Sequence, residues 1–169
     1  SDLKLNIKAK KKFKKDLIFE ELSLKEQNNV IHIKNLILSN DNKIKDIEKI
    51  KLDYVDKENF KNKIQIIKKD KAYLIKGDSF NINKIVENLF DSENEQKSSL
   101  FSSDFQLNFD INKIHLDQNN TINDLNGYLY LKDNEVLEAN LNSKFANQKN
   151  IKLTIQTDGK KKITTLFSN

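Results

Sequence analysis

Apolar and polar residues alternate along most of this chain. Leu3, Leu5 and Ile7 are separated by Lys4, Asn6 and Lys8, the period of two that marks a strand with one buried face. Further strands are expected at residues 17–24, 30–38, 44–55, 64–67, 72–75, 105–116, 121–131, 136–145, 151–156 and 162–167. The gaps between them are short and rich in turn formers, among them Asn40-Asp41-Asn42, Gln118-Asn119-Asn120 and Asp158-Gly159. Asn and Asp suit such places because they tolerate left-handed backbone. Short turns between successive strands imply antiparallel neighbours. The period changes once: Ile82, Ile85, Val86, Leu89 and Phe90 fall at helical spacing behind Asn81, a plausible N-cap. The fold class read from this pattern is mainly β, a long twisted antiparallel sheet of meander or groove repeats with one short α-helix near residues 81–91.

The chain also echoes itself. Residues 33–52 (IKNLILSNDNKIKDIEKIKL) align without a gap on residues 111–130 (INKIHLDQNNTINDLNGYLY), with identities at Ile33/Ile111, Leu38/Leu116, Asn42/Asn120, Ile44/Ile122 and Asp46/Asp124. Self-similarity at a fixed offset is the mark of stacked supersecondary units. In both copies the alternation slips by one residue, between Ile33 and Leu36 and between Ile111 and Ile114, which predicts a bulge or bend. The expected organisation is a first unit over 1–95 ending in the helix, a polar Ser-rich linker over 96–103, and a second unit over 104–169, both on one continuous sheet. With no initiator Met, the chain reads as a piece of a longer protein.

Composition alters this picture little. The net charge is +5, and charged residues make up 33% of the chain with both signs interspersed, which is a solvated surface and no nucleic-acid footprint. The basic run of residues 8–15 (KAKKKFKK) reads as an edge or flexible segment rather than a headgroup or nucleic-acid site. Cys is absent, so disulfides, thiolate zinc sites and thiol catalysis are excluded. Gly77, Gly127 and Gly159 are isolated, so no phosphate-cradling loop can be built. His32 and His115 have no ligand spacing between them or with other residues. Glu20/Glu21 and Asp53/Asp56 have no context that would tune them for acid–base work. No catalytic residue, metal site or cofactor is expected, and the chain does not read as an enzyme.

What remains is the apolar face. Phe105, Leu107, Phe109 and Ile111 would line it, with either Leu129 and Leu131 or Tyr128 and Tyr130, then Leu137, Ala139, Leu141 and Ser143, then Ile151, Leu153 and Ile155. Such a face is either an ordinary core closed by a second layer or a groove that shelters acyl chains. The single helix is little cover for so long a sheet, and a large bare apolar face implies a ligand. Rim lysines such as Lys113, Lys132 and Lys152 would then stand near phosphates.

At these residues the chain resembles the AsmA-like family of bacterial envelope proteins, to which YhdP and TamB belong. Leu125-Asn126-Gly127 stands where the family has its L-x-x-L-x-G strand, with Ile122 in place of the first Leu. Thr165-Leu166-Phe167-Ser168 matches the family's closing strand, and residues 76–90 (KGDSFNINKIVENLF) resemble its strand-Gly-Asp-x-Phe-helix element. The matches cover about half the chain, and residues before Val30 match nothing in the family. The resemblance implies an internal segment of a periplasm-spanning lipid bridge in the bacterial cell envelope, anchored in the inner membrane through a part outside this chain. The partners it implies are phospholipid, the rest of the same polypeptide and, through the parent protein, the inner and outer membranes, with no nucleic acid. Exposed edge strands also allow self-association. The other reading is a structural or adhesive β-repeat with a dry core and protein partners alone.

Overall fold

A computed structural model describes residues 3–11, 16–83, 104–132, 135–159 and 161–169. Eleven strands form one sheet in strict sequence order. They are β1 (Leu3–Lys11), β2 (Leu17–Glu26), β3 (Asn29–Leu38), β4 (Ile44–Val55), β5 (Lys61–Lys69), β6 (Ala72–Asn81), β7 (Phe105–His115), β8 (Thr121–Lys132), β9 (Glu135–Phe145), β10 (Asn150–Asp158) and β11 (Lys161–Ser168). Each grows from one of the alternating segments expected above. The turns carry the left-handed residues that their sequences suggest: Gln27, Asn42, Asn59, Asp70, Gln148 and Gly159 all have positive φ.

The sheet is mixed rather than antiparallel throughout. All neighbours are antiparallel except β6 and β7, which run parallel. Parallel neighbours need a connection of a dozen or more residues to carry the chain back to its starting end. The segment between Asn81 and Phe105 is long enough, whereas every other connection is a hairpin. Most of the expected helix and all of the expected linker fall in this segment, outside the described residues. At its start, Asn81 Oδ1 accepts the Asn83 N–H at 3.0 Å, the contact an N-cap makes. The sheet itself continues across the junction, with Ile75 opposite Phe109 and Gly77 opposite Ile111.

The two echoing segments both fold as hairpins, β3–β4 and β7–β8, yet they pair differently. Ile33 lies opposite Ile50, whereas its counterpart Ile111 lies opposite Leu125 and not Tyr128. The turns already differ: Ser39 closes on Lys43 in the first hairpin and Leu116 on Asn120 in the second. A register shift in β3–β4 between Ile37 and Leu38 adds the remaining residue. The echo is therefore one of strand pattern and not of pairing.

The expected slips in alternation are present as bends. In β3, Asn35 adopts φ 49°, which lets Ile33 and Leu36 share a face although the pairing has no extra residue there. In the second half, Ile111 and Ile114 are both buried while Asn112 and Lys113 are both exposed. Irregularities in the flanking strands lie beside this step: a register shift where Gly77 and Ser79 face Ile64 and Lys63, and a bulge in β8 around Asp124, φ 55°. Bulges bend a strand and re-aim its side chains, and here they keep the apolar residues on one side.

Candidate functional site

Directly opposed residues in neighbouring strands share a face, so the pairings trace rows across the sheet. One row is Ile7, Leu22, Ile33, Ile50, Ile66, Ile75, Phe109, Gly127, Leu141, Leu153 and Leu166, one residue from every strand. It has no polar side chain. At the usual spacing between strands, about 4.8 Å, it is roughly 50 Å long. A parallel row runs beside it through Leu5, Leu24, Ile31, Leu52, Ile64, Gly77, Ile111 and Leu125. On the other flank Tyr73, Leu107, Leu129, Ala139 and Ile155 are in line.

The residues expected to line the face are brought together by these rows. Phe105 and Leu131 are opposed, Ile151 is opposed to Ser143, and Leu137 sits at the β8–β9 register shift beside Leu131. The choice left open in β8 resolves to Leu129 and Leu131. Tyr128 and Tyr130 point to the other face, where Tyr128 faces Asn108 and Asn140 and its hydroxyl donates to Glu138. The expectation was confined to the second half of the chain. Ile7, Leu22, Ile33, Ile50, Ile66 and Ile75 continue the same strip through the first half, and their alternation was the available signal.

The apolar side is the inner one. The buried hydrophobic residues Ile47, Ile64, Phe105, Ile111, Ile114 and Ala139 all belong to it. Most of its other members are half-buried, and at the edge strands Leu5, Ile7 and Leu166 are 51–70% exposed. Among the described residues, the extensive contacts between elements all join sheet neighbours, and no second layer packs on this face. One step away in register, the outer side reads Asn6, Ser23, His32, Lys51, Gln65, Lys76, Asp110, Asn126, Asn142 and Lys152, ending at Phe167. His32 stands in this polar row with Nε2 3.2 Å from Glu21 Oε1, as expected of a solvent-side histidine.

A polar cluster around Asp56 interrupts the inner side, and sequence reasoning missed it. Asn62, 1% exposed, donates to Asp56 Oδ2 and to the Phe60 carbonyl, both at 3.1 Å, and accepts the Asn81 N–H at 2.8 Å. Asn81 Nδ2 donates to Asp56 Oδ2 at 2.8 Å and to Glu58 Oε2 at 3.2 Å. Asp56 Oδ1 accepts the N–H groups of Glu58 and Phe60. Burial pushes the Asp56 carboxyl up, but donors from Asn81, Asn62, Phe60 and Glu58 outweigh it and hold the group below its ordinary range. The cluster ties the β4–β5 turn to the end of β6, and Phe60 stacks on His115 with centroids 4.4 Å apart. Burial, with Lys113 nearby, lowers the His115 pKa. The network is a satisfied structural knot, and beside it opens a cavity of about 500 Å³ to which Asp56, Glu58 and Asn81 contribute with Tyr54, Val55, Lys57 and Phe80. Among the described residues no three His, Asp or Glu gather as metal ligands, and no helix is long and apolar enough to cross a membrane.

Of the lysines expected at the rims, Lys132 ends β8, whereas Lys113 and Lys152 lie within β7 and β10. Among the described residues, the fold is one β-sheet with an apolar and a polar side. No family model matches the chain, and neither does any curated protein or solved structure.

Proposed function

We propose that the inner side is a lipid groove, along which phospholipid acyl chains lie while their headgroups stay in water. The observation that carries this reading is the row of eleven residues from Ile7 to Leu166, with no polar side chain on it and no second layer over it among the described residues. Apolar surface of that extent is costly to leave in water. An acyl chain covers it without a directional contact, so the same strip serves any position along its length. The action is passive, a path of low resistance for chains that slide across strands. This is the work expected of an AsmA-like envelope bridge between inner and outer membranes, and it needs no catalytic group.

The observation that favours a closed structural repeat instead is the near-complete burial of Ile64, Ile111 and Ile114, at 1–3% exposure. Mass spectrometry of an organic extract from the purified chain, with a native spectrum of the intact protein, separates the two. Phospholipid at a fixed ratio supports the groove. A folded, lipid-free protein that also takes up no lipid from vesicles supports the closed repeat.

A further inference from the structure

The inner side has two long rims, each made of turns and strand ends, and they differ in charge. At the rim where β5 turns into β6, Lys69, Lys71, Lys132, Lys161 and Lys162 are exposed and form no ion pair among the described residues. Among the described side chains, Asp70, Asp104 and Glu135 stand near them uncommitted, since Lys45 engages Asp16 at 2.8 Å and Lys68 engages Asp46 at 2.7 Å, and Asp158 lies opposite Lys161 in the β10–β11 pairing. At the opposite rim, Lys4, Lys25, Lys57 and Lys149 are matched by Glu26, Asp56, Glu58 and Asp117. Two of those carboxylates are occupied as turn caps: Asp56 takes the N–H groups of Glu58 and Phe60, and Asp117 those of Asn119 and Asn120.

The lysine rim also connects to the groove. Between the β5–β6 turn and the start of β7, where no hairpin joins the two strands, a cavity opens whose lining sets Lys45, Lys68, Lys69 and Lys71 beside Asp46, Asp70 and Asp104, with Tyr73 and Phe105 at its apolar side. Tyr73 stands on the inner side in line with Leu107, and its ring meets Phe105 edge-on at 5.9 Å. Cationic side chains and the apolar strip are thus contiguous at this notch, as an amphiphile with an anionic head requires.

Resting on the lipid reading above, we infer that the rim bearing Lys69, Lys71, Lys132, Lys161 and Lys162 is the headgroup side of the groove and selects anionic glycerophospholipids, whose phosphates sit at these lysines while their chains cross Tyr73 and Phe105. The opposite rim faces chain ends or water. The attraction is screened by salt because every lysine is exposed.

The test loads the purified chain from vesicles of equal phosphatidylglycerol and phosphatidylcholine and determines the bound composition by mass spectrometry. At low salt the bound phosphatidylglycerol is enriched roughly three- to tenfold over the input, and the enrichment shrinks as salt rises. The triple substitution K69E/K71E/K132E abolishes the enrichment while the circular dichroism spectrum is unchanged. The control K57E/K149E, on the opposite rim, retains it. Inorganic phosphate at millimolar concentration leaves the bound lipid in place. Lipid uptake with no enrichment, or enrichment that survives the triple substitution, overturns this inference alone. Displacement of lipid by inorganic phosphate also overturns it and assigns the rim to a free anion. No uptake of either lipid overturns it together with the groove reading.

Discussion

The two sides of this sheet are one residue apart in register and opposite in chemistry. Leu153 lies in the row from Ile7 to Leu166, and Lys152 lies in the row from Asn6 to Phe167. Both rows use the same backbone, the same hydrogen-bond ladder and the same eleven strands. Their difference shows that the apolar character of one side comes from the alternation alone. Because a strand's side chains have period two, a slip of one residue would exchange the sides. The bends at Asn35, Gly77/Asp78 and Asp124 matter for that reason: they let long strands deviate from strict alternation while the apolar residues stay on the inner side.

The largest effect that would break this comparison is loss of a buried inner residue. Ile114, 1% exposed, changed to Ala is expected to cost about 3 kcal/mol in urea denaturation. Next comes Gly127, the one position of the inner row without a side chain. Its φ is 122°, and an added Cβ would stand 1.9 Å from the Asn140 carbonyl oxygen. Gly127→Ala should cost on the order of 2–3 kcal/mol by the same measurement, although Ala is as apolar as the row requires. Leu141→Asn sharpens the functional side of the comparison. In an open groove it changes stability by less than about 1 kcal/mol and lowers lipid uptake, whereas in a closed core it unfolds the chain. Asn142→Lys, its neighbour on the outer side, should alter stability by no more than about 0.5 kcal/mol and leave uptake untouched.

The smallest effect is a pH dependence from the Asp56 knot. Its carboxyl is depressed in the folded chain, so the ionised form contributes stability above its unfolded value, near pH 4. That contribution is lost as pH falls through the lower, folded value. Acid titration of wild type and Asp56→Asn should show the wild type losing the larger increment below about pH 4.

All eleven strands were legible in the sequence, because period-two alternation between turn formers is a local signal and each strand is locally consistent. The parallel β6–β7 pair was not, since the direction of a strand after a long connection depends on where that connection returns. The difference between the two echoing hairpins was hidden for a related reason. Gapless identity aligns Ile50 with Tyr128, but turn closure at Leu116 and Asn120 decides the pairing. The candidate face was half legible. The lining residues named from the sequence, Phe105 to Ile155, all lie in the second half, while the isoleucines of β3 to β6 alternate in the same way and were placed in strands but not on the candidate face. The Asp56–Asn62–Asn81 knot joins residues up to 25 positions apart, and no spacing rule marks it.

The most direct test of the central claim uses neighbours in sequence. A photo-crosslinking amino acid is placed at Leu153 or Ile66 on the inner side, and at Lys152 or Gln65 on the outer side, with the protein exposed to phospholipid vesicles. Crosslinking to phospholipid at 153 and 66, with none above background at 152 and 65, is the result predicted here. Equal labelling of the two sides, or none at the inner positions of a folded protein, would contradict a lipid groove on this face.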